Sequence, residues 1–250
     1  MLPLTSKIRL VSFDLLHTLI VPRHPIHVQY ARALEPFVGL LDAQALKYSL
    51  HTALRQLQVE KPLYGGDTTA WWSEVIRRTA LGAGAEPKAL DASLSLIVPR
   101  LMSSFSTKEA YKSFDNSLDV LHALHHDLGV HTAVVSNADS RMLAVLKDLN
   151  FPTSLTPIIL SELEGVEKPS PEIFQLLLQR VNSRVEPPIT PAECVHVGDE
   201  LQRDGLGARN AGMNALLLKS RGGEDPFSLE VPIQTVENMS EILEWVRVRV

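Results

Sequence analysis

Two hydrophobic rhythms divide the chain. Residues 8–13 (Ile-Arg-Leu-Val-Ser-Phe) form a short, mostly apolar run ending on Asp14, the pattern of a buried strand that delivers a carboxylate at its C-terminal end. From residue 22 to 112 apolar positions recur at helical spacing in four blocks: Ile26, Tyr30, Ala33, Leu34 and Phe37; Leu46, Leu50, Ala53, Leu54 and Leu57; Trp72, Val75, Ile76 and Thr79; Leu90, Leu94, Ile97 and Leu101. The spacing predicts a small bundle of four helices and no strand. Asp67 or Thr68 is the expected N-cap of the third helix, and Gly65-Gly66 and residues 82–87 supply breaks.

Beyond residue 112 the rhythm alternates. Helices are predicted near 118–126, 141–150, 171–181 and 204–211, and strands at 131–135, 156–160, 194–197 and 214–218; residues 233–236 and 239–248 read as a last strand and a closing helix. Alternating helix and strand implies a parallel sheet covered on both faces. The first strand joins that sheet, so residues 22–112 form a helical insertion into an α/β core made of 1–21 and 113–250.

Composition narrows the function classes. The 250 residues are 45% hydrophobic and 21% charged, ordinary for a globular protein of one large domain or one domain plus an insert. With 24 basic and 29 acidic residues the net charge is −5, and no run of Lys and Arg could track a phosphate backbone. Nucleic acid is therefore not the expected partner, nor is a membrane, because no apolar run is long enough to span a bilayer. Cys194 is the only cysteine, and the opening residues lack a signal-peptide apolar region; a reducing, cytoplasmic setting is the expectation. Oligomeric state is not legible.

Four polar segments fall at or just after predicted strand ends, the edge where open α/β sheets bind ligands. They are Asp14-Leu15-Leu16-His17-Thr18-Leu19; Ser136-Asn137; Lys168-Pro169 before a helix; and Gly198-Asp199 with Asp204 five residues on. Each alone has a bland reading: a strand-ending Asp, a helix cap, a surface Lys, a turn. In this order they resemble the four motifs of the haloacid dehalogenase-like (HAD) hydrolase superfamily. The resemblance implies a Rossmann-like core carrying a helical C1 cap. It implies Asp14 as a nucleophile forming an aspartyl-phosphate, Ser136 and Asn137 as phosphate-binding groups, and Lys168 as the neutralising cation. It also implies Mg²⁺ held by Asp14, the Leu16 carbonyl, Asp199 and, directly or through water, Asp204. Charge agrees: three carboxylates face one ammonium, and a single divalent ion would bring the local sum to zero.

One position departs from the phosphatase pattern Asp-x-Asp-Gly-Thr. Leu16 stands where the second Asp serves as general acid/base, a contribution of about 10² to 10⁴ in rate. His17, in the glycine position, is the nearest substitute acid, and its side chain is expected to point elsewhere. The expected activity is therefore slow phosphohydrolysis of a small phosphorylated molecule. The alternatives are a weak or inactive binding protein on the same fold and, third, a 2-haloacid dehalogenase, whose members also lack the second Asp but do not share the Gly-Asp…Asp fourth motif.

In the insert, Tyr64, Trp71 and Trp72 are candidates for substrate contact, against the plainer expectation that they pack with one another. Adjacent tryptophans point to different sides of a helix, so only one can face inward fully. His122 and His126, four apart, have metal-ligand spacing but no evident third ligand. Cys194 reads as a small buried hydrophobe. Asp139 and Arg141 either touch substrate or start a helix, and Glu164 and Glu167 either hold Lys168 or are solvated.

Overall fold

The computed structural model describes residues 7–219 and 233–250; residues 1–6, part of the opening stretch expected to lack a signal peptide, lie outside them. The chain divides into two compact units. One comprises residues 1–21, 113–140 and 150–250, and the other 22–112 together with 141–149. The helical unit thus takes in residues 141–149 from beyond the insert, where adjacency in sequence alone predicts the core.

In chain order, β1 (Leu10–Phe13) and β2 (Ile20–Pro22) precede α1 (Ile26–Val38), α2 (Ala43–Glu60), α3 (Thr68–Gly82) and α4 (Pro87–Ser104), followed by β3 (Tyr111–Ser113). The four predicted helices are present, and the starts of α2, α3 and α4 follow from side-chain capping, while α1 begins after Pro25 without a side-chain cap. Asp42 accepts from the Ala45 N–H, Asp67 from Ala70, and Glu86 from Lys88 and Ala89, satisfying donors that a helix N-terminus leaves unpaired. In α2 the buried positions are Leu46, Leu50, Ala53 and Leu57, one stripe at helical spacing. The expectation of no strand fails at the margins, where β2 and β3 form a separate two-stranded sheet. Three residues are too few to show a periodicity.

The remaining elements are α5 (Ser117–His122), β4 (His131–Ser136), α6 (Arg141–Asp148), β5 (Leu155–Leu160), α7 (Ser161–Glu164), α8 (Pro171–Asn182), β6 (Cys194–Gly198), α9 (Gly207–Asn210), β7 (Asn214–Leu218), β8 (Gln234–Val236) and α10 (Met239–Arg247). Six strands form one sheet in the order β5-β4-β1-β6-β7-β8, and the pairs between neighbours are parallel. Strand order runs outward from β1 in both directions, so β1 lies at the switch point where such sheets open a crevice. A cluster including Leu10, Ala133, Val135, Ile159, Phe174 and Cys194 packs this core. The helix expected at 204–211 is instead a wide turn over Leu201–Leu206 followed by the short α9. Both the Asp204 and Gly205 N–H groups bond the Glu200 carbonyl, which widens the turn.

Candidate active site

Register brings three motifs to one edge. Phe13 on β1 lies opposite Val134 on β4 and Val197 on β6, so Asp14, Ser136 and Asp199 leave the same end of three neighbouring strands. The Asp14 N–H still bonds the Val197 carbonyl at 2.8 Å, which fixes the backbone beneath the carboxylate. The chain then closes tightly: the Leu15 carbonyl accepts from Thr18, Leu19 and Ile20, and the His17 N–H returns to the Ile20 carbonyl. His17 has φ 62°, the left-handed region that glycine enters without penalty. That is the physical reason a glycine suits this position of the motif.

Lys168 is 2% exposed and donates to Asp14 Oδ1 at 2.7 Å and to Asp204 Oδ1 at 2.6 Å. Burial disfavours its ammonium, but the Asp14 and Asp204 carboxylates outweigh this and raise its pKa above the ordinary lysine value. Its backbone is held by Asn137, whose side-chain amide both donates to and accepts from the Lys168 main chain. The Asn137 side chain is thus spent on Lys168, and its backbone N–H is what remains for an anion. Glu164 and Glu167 do not hold the lysine: Glu164 pairs with Arg180 at 2.7 Å, and Glu167 is exposed.

Asp204 is equally committed. Oδ1 accepts from Lys168 and from His196 Nε2 at 3.1 Å, and Oδ2 accepts from the Glu200 N–H at 2.9 Å. Although burial opposes it, these partners hold its carboxyl well below the usual carboxylate range. Gly198 makes the approach possible, since a Cβ there would lie 2.1 Å from Asp204 Cγ. Asp199 differs: burial first, then the charges of Asp14, Asp204 and Glu200, push its carboxyl up to about 7.

Oxygen atoms of Asp14, Asp199 and Asp204 all lie within 4.8 Å of one another, and no other such group of three metal-ligand side chains occurs among the described residues. All-oxygen donors with excess negative charge fit a hard divalent cation. Asp14 and Asp199 are the direct candidates; Asp204, already bonded three ways, suits a water-mediated place. Leu16 is half-buried and offers only its carbonyl. His17 is exposed by area, yet the protein mass around it lowers its pKa against the pull of Asp14 and Glu200. It is thus mostly neutral near pH 7 and ill suited to donate a proton.

The remaining candidates take plainer places. Trp71 is the inward-facing member of its pair, 3% exposed, with Nε1 donating to the Lys61 carbonyl at 3.0 Å. Tyr64 and Trp72 each meet its ring edge-on at 5.1 Å. Arg141, at the start of α6, lays its guanidinium 4.6 Å from the Trp72 ring centroid, and Asp139 is buried. The His122 and His126 rings are 4.4 Å apart, without a third ligand among the described residues. Burial pushes the Cys194 thiol up to about 12, so it is no nucleophile. His196 was missed by sequence reasoning; its signal was a lone polar residue inside the apolar strand Cys-Val-His-Val-Gly.

The haloacid dehalogenase-like hydrolase profile matches residues 8–212, which span all four motifs. The chain belongs to that family. Within it, the chain is similar to haloacid dehalogenase-like hydrolase domain-containing protein 3 of Bos taurus, 29% identical over 88% of this chain and 85% of that protein, and to the Danio rerio protein of the same name, 27% identical over 94% and 95%. It is also 29% identical to glyceraldehyde 3-phosphate phosphatase of Methanopyrus kandleri, over 77% and 78%. Among solved structures, a dehalogenase with an intermediate complex superposes with TM-score 0.73 at 20% identity, covering 97% of this chain and 99% of that one. A HAD phosphatase from Thermococcus onnurineus gives 0.59 at 18%, covering 97% and 100%. These likenesses support the haloacid dehalogenase-like fold. No helix among the described residues is long and apolar enough to cross a membrane.

Proposed function

We propose that the chain is a magnesium-dependent phosphohydrolase that acts on a small phosphorylated molecule through an aspartyl-phosphate on Asp14. The observation that carries this reading is Lys168 bonded between Asp14 and Asp204, beside Asp199, a carboxylate with no ion-pair partner among the described residues. Similarity to a relative named as a phosphatase supports it.

Asp14 attacks phosphorus and displaces the leaving-group oxygen; water then attacks the same phosphorus, releasing inorganic phosphate and returning the carboxylate. Lys168 fixes the orientation of the Asp14 carboxylate and directs its remaining N–H toward a phosphoryl oxygen. Ser136, buried at the end of β4, and the backbone N–H groups after it bind the other oxygens. Mg²⁺ held by Asp14, the Leu16 carbonyl and Asp199, with Asp204 through water, would neutralise phosphoryl charge as a Lewis acid. No side chain at position 16 protonates the departing oxygen. The missing acid is worth about 3–5 kcal/mol of barrier, so substrates with good leaving groups are preferred.

The test is turnover of p-nitrophenyl phosphate with Mg²⁺, beside chloride release from 2-chloropropionate. Phosphate release that is abolished by Asp14→Asn supports the reading. Chloride release without phosphate release would make the chain a dehalogenase, a second reading that the missing acid at Leu16 favours. Loss of neither substrate, with Mg²⁺ and phosphate bound, would make it a binding protein.

A further inference from the structure

Directly beneath the Asp14 carboxylate lies a polar pair that the chemistry above does not use. Ser12 on β1 and His196 on β6 face each other in register, and both are 0% exposed. Ser12 Oγ is 2.9 Å from His196 Nδ1, and His196 Nε2 is 3.1 Å from Asp204 Oδ1, the oxygen that also receives Lys168. Lys168 in turn reaches Asp14. Four bonds therefore connect Ser12 to Asp14 through the protein interior.

The direction of each bond follows from its neighbours. Ionised Asp204 can only accept, so His196 Nε2 carries the hydrogen. A neutral ring then presents a lone pair at Nδ1, and the group facing it is the Ser12 hydroxyl, which must donate. Asp204 sets the tautomer, Ser12 holds the ring in place by donating to its Nδ1, and Asp204 holds one of the two anchors of Lys168. With two of its N–H groups anchored, the lysine has one left, pointing in one direction. Sealed from solvent, Ser12 is no nucleophile despite its Ser-His-Asp partners. Two apolar side chains would satisfy this part of the sheet without the cost of burying polar groups.

We propose that Ser12 and His196 are positioning residues that orient Lys168 toward the phosphoryl group by way of Asp204. This rests on the reading of Asp14 and Lys168 as the reacting pair.

The test uses the full chain with Mg²⁺ and p-nitrophenyl phosphate, comparing wild type with Ser12→Ala, which removes one oxygen and leaves a packable site. The expected result is a fall in kcat of about threefold to tenfold, the size of one internal hydrogen bond, with KM within about twofold, because the lost orientation matters in the transition state. Nitrogen NMR of the histidine rings supplies a readout independent of turnover. His196 should be the Nε2–H tautomer in both proteins, and its unprotonated Nδ1 should move downfield in Ser12→Ala, which removes the hydrogen bond that Nδ1 accepts. Should Ser12→Ala fail to fold, Ser12→Cys, with its weaker donor, makes the same comparison. An Nδ1–H tautomer in wild type, or an unchanged kcat or Nδ1 resonance in the variant, overturns the proposal. If wild type releases no phosphate, the functional reading fails, and the Nδ1 resonance still decides whether Ser12 holds the ring that donates to Asp204.

Discussion

Asn137 and Lys168 are joined by two hydrogen bonds between one side-chain amide and one residue's backbone. Asn137 Nδ2 donates to the Lys168 carbonyl at 2.8 Å, and the Lys168 N–H donates to Asn137 Oδ1 at 2.7 Å. The residues are 31 apart in sequence and sit on loops after different strands. This clasp fixes where the lysine side chain starts, while Asp14 and Asp204 fix where it ends. Both ends of a flexible side chain are thereby constrained, which is what preorganisation of a charged group requires.

Asn137→Ala should destabilise the fold by about 1–3 kcal/mol, since it leaves a backbone donor and a backbone acceptor unpaired. Urea denaturation measures it. A change below about 0.5 kcal/mol would show that solvent or another group replaces the clasp.

Gly198→Ala should be costlier than a methyl group suggests. The added Cβ would sit 2.1 Å from Asp204 Cγ and 2.2 Å from its Oδ2, so Asp204 must move and release Lys168 and His196. Overpacking of this kind costs about 1–3 kcal/mol, and loosening a buried ion pair adds to it. Thermal melts check the stability, and p-nitrophenyl phosphate turnover, expected to fall at least about tenfold, checks the site. A variant with wild-type melting and turnover would show that Asp204 is not needed where it lies.

The strand ends were legible because a buried strand is a mostly apolar run and the polar residue at its end marks the edge: Ser136 closes β4, and Asp14 and Asp199 directly follow β1 and β6. Helix starts were legible at Asp67, whose carboxylate competes for free N–H groups. What sequence did not carry was partnership at long range. Nothing in the chain near Lys168 says that its nitrogen will meet Asp14, 154 residues away, in preference to Glu164 or Glu167. Nor does the Ser136-Asn137 pair reveal that its amide turns to the lysine backbone. His196 was hidden by its apolar neighbours, although Ser12 and His196 each stand two residues before a motif position, on the strand face that leads to the site. Adjacency in sequence points residues 141–149 to the core, but their contacts place them with the helical unit.

Asp199 predicts a pH dependence. Its folded pKa of about 7 lies above the ordinary 3.8. Below about pH 4 the group is protonated in both states and its contribution to stability is fully present; as pH rises toward 7 only the folded state still holds the proton, so that contribution is lost. Metal-free wild type should therefore lose stability relative to Asp199→Asn between about pH 4 and 7, with no further divergence above. Proton and metal compete for the same oxygens, so Mg²⁺ affinity by calorimetry should rise over that window. Parallel stability curves for the two proteins would show that Asp199 carries no raised pKa.

Leu16→Asp restores a carboxyl group to the motif position from which the leaving-group oxygen would be protonated. Leu16 is half-buried on the loop whose turn is fixed by the Leu15 carbonyl and by the His17–Ile20 bond, so the new side chain starts from a backbone already held in place. A general acid contributes about 10² to 10⁴ in rate, most where the departing oxygen is a poor leaving group. The gain should therefore be about a hundredfold on an alkyl phosphate and much smaller on p-nitrophenyl phosphate. Steady-state rates on both esters measure the contrast. Equal gains on the two would point to altered metal binding, because protonation of the leaving group is the step that distinguishes them. No gain on either, with the fold and Mg²⁺ binding intact, would mean that Leu16 is not what limits the rate or that its surroundings have been remodelled around it.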